Sequence, residues 1–211
     1  SFRQLEKQGF TVTYLPVNTD GLLDLKLLSQ AITKQTILVS AMHVNNEIGV
    51  IQEIAAIGEI ARAHGALFHV DAAQSAGKLP INLSQLPVDL MSFSAHKNYG
   101  PKGIGALYIR HKPRVRLLPI AFGGSHEHGL RAGTQAPHQI VGMEAAFVLS
   151  ESIRKEEQAR LLNLRQKLWQ GIKFLPGVSI NGHEQARIAG NLNVRFDGLE
   201  GESLLLALHQ L

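Results

Sequence analysis

Apolar and polar positions along this chain fall into two alternating rhythms, short apolar runs and stretches where apolar residues recur every three or four positions. The first rhythm predicts strands and the second predicts helices. Ser1 to Lys7 reads as the middle of an amphipathic helix, and residues 10–15 alternate as a strand that Asp20-Gly21 closes. Helical spacing over residues 25–32 leads to a strand at 36–42. Residues 53–64 put Ile54, Ile57, Ile60 and Ala61 on one stripe, and Gly65 stops that helix. The next two apolar runs end in polar clusters: 66–70 at Asp71, and 88–93 at Ser94-Ala95-His96-Lys97. A tight loop at 98–103 precedes a strand at 105–109, and a second loop runs from Gly123-Gly124 to Gly133-Thr134. A long helical stretch begins at Pro137 and runs, with a break allowed, to Phe174, lining up Leu161, Leu164, Leu168 and Ile172 before Pro176-Gly177 ends it. A strand at 191–196 and a helix opened by Gly201-Glu202 complete the pattern. Alternation of this kind predicts an α/β fold, a mostly parallel sheet flanked by helices.

Composition narrows the class. With 211 residues, 45% hydrophobic and 18% charged, the chain is globular and long enough for one or two domains. The shift into a charged helix near residue 150 divides it into a large domain at 1–150 and the start of a smaller one at 151–211. No apolar run approaches the roughly 18 residues of a membrane span, and no secretion leader is visible, so the cytoplasm is the expected compartment. The chain does not begin with Met and reads as a central piece of a longer protein. Its formal charge of +4 gathers at Arg110-His111-Lys112-Pro113-Arg114-Val115-Arg116. That patch reads as a solvated turn or a place for an acidic partner. Without interleaved aromatics it does not read as a nucleic-acid site. Cysteine is absent, which excludes disulfides and Cys-ligated metal within these residues.

The chemistry concentrates where two strands end. In open parallel sheets ligands sit beyond the carboxyl ends of the strands. Lys97 follows such an end, and a lysine amine held near a carbonyl and partly desolvated forms a Schiff base; a surface lysine in a Gly-Pro turn is the plainer alternative. Asp71 is either a helix cap or the anion that keeps a pyridine nitrogen protonated. Gln74, three residues on, projects to the same side and can donate to a phenolate. Ser94 and His96 alternate along an extended segment, point the same way and suit phosphate oxygens. An amine, an anion and phosphate donors together match pyridoxal 5'-phosphate. A Ser-His hydrolase lacks the G-x-S-x-G context, and the glycines at 100, 103 and 105 do not follow a nucleotide-binding spacing. His126 and His128 would project to opposite sides of an extended segment, so no metal site is expected.

Four motifs, in order, carry a resemblance: Met42-His43-Val44-Asn45-Asn46-Glu47-Ile48-Gly49, His69-Val70-Asp71-Ala72-Ala73-Gln74, Ser92-Phe93-Ser94-Ala95-His96-Lys97 and Arg131-Ala132-Gly133-Thr134. The chain resembles the class V aminotransferase superfamily, and within it the cysteine desulfurases of iron–sulfur cluster assembly. The resemblance implies a fold type I large domain and part of a small C-terminal domain. It also implies a reaction taking L-cysteine to L-alanine in a homodimer, with persulfide sulfur passed to scaffold and sulfur-acceptor proteins. Lys97 would bind the cofactor and move the proton at the substrate's α-carbon; Asp71 would pair with the ring nitrogen and Gln74 with the phenolate oxygen. Ser94 and His96 would hold the phosphate, joined by Thr134 of the opposite subunit, and Asn46 would orient the substrate carboxylate. Arg114 and Arg116 look like a docking surface for acidic partners. The family's nucleophilic cysteine has no counterpart among these residues, so the piece alone is expected to be inactive. Selenocysteine lyase, another class V aminotransferase or lyase, and a non-catalytic scaffold remain as alternatives.

Overall fold

The computed structural model describes residues 1–209. Four strands form the main sheet in sequential order: β1 (Leu38–Met42), β2 (Leu67–Asp71), β3 (Leu90–Ser94) and β4 (Gly105–Ile109). The first three are parallel, with Leu38 opposite Leu67 and Asp71 opposite Ser92, while β4 returns antiparallel so that Ser94 faces Gly105. The helices are α1 (Phe2–Lys7), α2 (Leu25–Ala31), α3 (Ile54–Ala63), α4 (Pro137–Ile172) and α5 (Gly201–Leu208). A two-stranded antiparallel ribbon, β5 (Val178–Ile180) and β6 (Val194–Phe196), lies near the C-terminal end.

The stripe on α3 explains the core. Ile54, Ile57 and Ala61 are buried against Phe68, Val70 and Met91 of the sheet, with Leu28 of α2 completing the layer. Burying side chains of this size contributes about 1.5–3 kcal/mol each. Asp24 caps α2 by accepting from the backbone N–H of Lys26 and Leu27, and Gly65, at φ +74°, turns the chain out of α3 into β2. Phe93, on the same face of β3 as Met91, packs against this core and meets Phe147 of α4 edge to face at 6.3 Å.

Several expectations need correction. Residues 10–15 pair with no strand; the nearest bridge is the isolated contact between Val17 and Leu23. Their alternation is satisfied by Leu15 packing on the core while Phe10 and Tyr14 stay exposed, which needs no ladder. The segment after β3 is not extended: Ala95–Asn98 is a 3-10 turn. The long helix expected from Pro137 is present as α4, continuous for 36 residues, and none of its residues is fully buried. Strand β5 was not anticipated, because three residues are too few to show a period. The helix expected from Gly201 is present to Leu208, and residues 210 and 211 lie outside the described residues. Among the described residues no helix is both long and apolar enough to cross a membrane.

The contact between α3 and the β3 approach can be tested at Gly58. A Cβ there would stand 2.5 Å from the Pro87 carbonyl oxygen and 3.0 Å from the Phe68 ring. Glycine to alanine inside a helix ordinarily gains about 1 kcal/mol; overpacking of this kind costs about 1–3 kcal/mol. Gly58→Ala is expected to lower the urea midpoint of the full-length protein, and a raised midpoint would show that the helix does not press on that carbonyl.

Candidate active site

The carboxyl ends of the three parallel strands supply the polar groups. Asp71 ends β2, and its Oδ1 accepts from the backbone N–H of Ala73 at 2.9 Å, so the carboxylate caps the turn that follows. Backbone bonds then lock the strand ends together: His43 N–H donates to the Asp71 carbonyl and Ala72 N–H to the Ser92 carbonyl, both at 2.9 Å. Residues 72–79 wind through a compact set of turns, with Ala76 N–H bonded to Ala72 O at 2.9 Å and Leu79 N–H to Ser75 O at 2.8 Å. This winding carries Gln74, half-buried, onto the same side as Lys78, whose Nζ donates to Gln74 Oε1 at 3.2 Å.

Ser94 ends β3, and the 3-10 turn behind it presents His96 and Lys97, both exposed. Ser94 Oγ lies 3.0 Å from His96 Nδ1. The two side chains converge as expected, but through a turn rather than through strand alternation. Asn98 anchors that turn. It is buried, its Oδ1 accepts from Ser150 Oγ of α4 at 2.9 Å, and it presses so closely on Gly77 that a Cβ there would meet its amide at 2.3–2.6 Å. Gly77 has φ +74°, a conformation that favours glycine as well. The Gln74–Lys78 turn and the Lys97 turn are therefore packed against each other. Burial, and after it the charge of Lys97, push the Lys78 amine below the ordinary lysine range.

Asn46 sits on the exposed turn after β1. Its neighbour Asn45 holds the turn from inside, Oδ1 accepting from Glu47 N–H and Ile48 N–H at 2.9 Å each. From outside, Asn191 and Asn193 donate their amides to the Glu47 carbonyl at 2.8 and 3.2 Å. The buried guanidinium of Arg187 donates to Asn191 Oδ1 at 2.8 Å and also to the carbonyls of Asn181 and His183. Thr134 is exposed on the loop before α4, and among the described residues no hydrogen bond joins it to the others. Arg114 and Arg116 are likewise exposed and distant in sequence from the strand ends.

This donor set suits one kind of ligand. It holds one carboxylate, two amines, an amide with a free donor end, and a hydroxyl beside an imidazole. Among the described residues no carboxylate forms an ion pair with either Lys78 or Lys97. Two amines, the Asp71 carboxylate and these donors fit a flat, cationic ring that bears phosphate and an anionic oxygen, which is the chemistry of pyridoxal phosphate.

Comparison with known proteins agrees with this geometry. The Aminotransferase class-V family profile matches residues 1–210. The chain belongs to the class-V aminotransferase family. It is 57% identical over 209 residues to a protein of Mannheimia succiniciproducens named cysteine desulfurase IscS, covering 99% of this chain and 52% of that protein. The chain thus spans about half the length of the curated relatives it matches. Among solved structures, a NifS-like protein superposes with TM-score 0.93 at 37% identity, covering 99% of this chain and 57% of its own. A structure described as SspA in complex with cysteine superposes with TM-score 0.82, also at 37% identity, over 99% of this chain and 57% of its own. Within this family fold, Lys78 is the side chain that sequence reasoning missed. Its position four residues after Gln74, one helical turn away, was the available signal.

His43, at the end of β1, offers a test of the local electrostatics. It is buried, its Nδ1 has no hydrogen-bond partner, and burial lowers its pKa from 6.5 to about 4. Between those values the unfolded chain binds a proton that the folded chain refuses, so stability falls as pH drops through that window. The slope from this one group is at most ~1.4 kcal/mol per pH unit. Urea titrations of the full-length protein at pH 4.5 and 7 should show a smaller difference for His43→Gln than for the parent; an unchanged difference would mean that His43 titrates normally.

Proposed function

We propose that this chain is the cofactor-holding portion of a pyridoxal-phosphate-dependent cysteine desulfurase that serves iron–sulfur cluster assembly. The observation that carries the reading is the convergence of Asp71 and Lys97 on one edge of the sheet, from neighbouring parallel strands. The IscS relatives and the cysteine bound to SspA support the choice of substrate.

Bound pyridoxal phosphate supplies an electron sink for breaking bonds at the substrate's α- and β-carbons. The residues of this chain do the rest. Asp71 holds the ring nitrogen in its protonated form, and Gln74 donates to the ring oxygen. Ser94 and His96 grip the phosphate, with Thr134 added by a second copy. Lys97 anchors the cofactor and carries the proton to and from the substrate's α-carbon. Asn46, on its clamped turn, orients the substrate carboxylate. In the overall reaction the Cβ–S bond of cysteine breaks, alanine leaves, and the sulfur atom joins an enzyme thiol as a persulfide. No thiol lies among these 211 residues, so the accepting cysteine comes from outside them.

A homodimer is part of the reading. Leu118, Ile120 and Phe122 are 85–98% exposed on the loop that leads to Thr134, apolar surface that a second copy would cover. Arg114 and Arg116 offer the acidic-partner surface for a scaffold or sulfur acceptor, and the cytoplasm is the compartment. The division into 1–150 and 151–211 belongs to the same proposal, with α4 as the strut shared by both parts.

The test is direct. The full-length protein should show a visible absorption band that borohydride abolishes, with the label mapped to Lys97; a label on another lysine refutes the assignment. Asp71→Ala should lower alanine formation from cysteine at least ~100-fold, because an unprotonated ring is a poor electron sink. Ser94→Ala should cost only about tenfold, since phosphate contacts are several and overlapping. Equal losses would reduce Asp71 to a turn cap.

A further inference from the structure

Lys78 has no role in the reading above, and its surroundings are unusual. It is half-buried, it has no carboxylate partner among the described ion pairs, and it lies close enough to Lys97 for that charge to disfavour its own. Its one recorded side-chain bond is the 3.2 Å contact with Gln74 Oε1. The arrangement is not left to chance. The 72–79 turns fix Lys78 one helical turn beyond Gln74, and the tight seat of Gly77 against Asn98 holds that unit beside the turn bearing Lys97.

We propose that Lys78 is a positioning residue, whose ammonium takes Oε1 of Gln74 and so leaves the amide NH2 to face an anionic ring oxygen. The two ends of a glutamine amide are nearly equal in size, so packing alone does not choose between them. An ammonium has only donors, and it therefore selects the oxygen. With Oε1 engaged, the end turned toward the ligand is the donor, which attracts a phenolate; the reversed amide would set oxygen against oxygen. This inference rests on the proposed function, in which Gln74 meets the phenolate of pyridoxal phosphate.

The test uses the full-length apoprotein titrated with pyridoxal 5'-phosphate and followed by its visible band. Lys78→Met is expected to weaken cofactor binding roughly tenfold, the loss of one charge-assisted hydrogen bond. It should also move the band in the same direction as Gln74→Leu does. The double variant should bind no more weakly than the worse single one, because Lys78 acts through Gln74. Lys78→Arg, which keeps a cationic donor, should stay within about twofold of the parent. A merely structural lysine would shift neither the band nor the coupling. Additive losses in the double variant, or a Lys78→Met protein that binds as the parent does, would overturn the proposal. If Lys78→Met does not fold, Gln74→Glu asks the same question: an acceptor-only side chain beside Lys78 must bind cofactor more weakly than Gln74→Leu, and parent-like binding refutes the inference. A parent protein with no visible band, or with its borohydride label away from Lys97, removes the proposed function and this inference with it. A parent labelled at Lys97 whose variants show no coupling removes this inference alone.

Discussion

Everything at the candidate site depends on the parallel register of β2 with β3. With Asp71 opposite Ser92, Asp71 and the turn beginning at Ser94 emerge from the same edge, two residues or about 7 Å apart along the strand direction. That register is pinned from the far end. Asp89, just ahead of β3, accepts from Phe68 N–H at 2.8 Å through its carboxylate and donates its own N–H to Phe68 O at 2.9 Å. Arg110, just after β4, pairs with the Asp89 carboxylate at 3.1 Å and donates to the carbonyls of Leu86 and Val88. A slip of β3 by one residue would break these bonds and turn Met91 out of the core, so the register is specified from both faces.

Strands bring the groups to one edge, but side-chain amides set their final positions. Asn98 joins the Lys97 turn to α4 through Ser150 and to the Gln74 turn through Gly77. On the β1 side, Asn191 joins the Asn46 turn to the 181–193 segment, with Arg187 fixing which way the Asn191 amide points. Both devices bury polar groups, which is costly unless the bonds are made. Both are placed where a loop must be held as firmly as a strand. Gly49 shows how closely they fit, since a Cβ there would fall within 2.5 Å of the Asn191 side chain.

The parts of this organisation that have a period were legible in the sequence. The α3 stripe, the β2 and β3 runs and the polar clusters at their ends all stand where apolar spacing put them. Residues 10–15 have the same alternation, yet no ladder, because alternation reports a half-buried face and not the presence of a partner strand. The 3-10 turn at Ala95–Asn98 was hidden for a related reason: two polar residues at i and i+2 look alike in a strand and in a tight turn, and only the Ser94–His96 bond tells them apart. Contacts between segments far apart in sequence, such as Arg187 with the Asn46 turn, leave no local trace at all. Lys78 is an intermediate case. Its spacing from Gln74 was visible, but its burial and the approach of Lys97 depend on how two turns pack.

The charge balance at the sheet edge connects these observations to function. Lys78 lies close enough to Lys97 for that charge to disfavour its own, and the Asp71 carboxylate is already bonded to Ala73 N–H. Like charges held together destabilise a fold unless something compensates them. Among the described residues no ion pair compensates either lysine. The tight Gly77–Asn98 contact holds together the two turns that carry these lysines. In the proposed function an anionic ligand offsets this charge, its phosphate meeting the Ser94–His96 pair and its ring oxygen meeting the Gln74 amide that Lys78 orients.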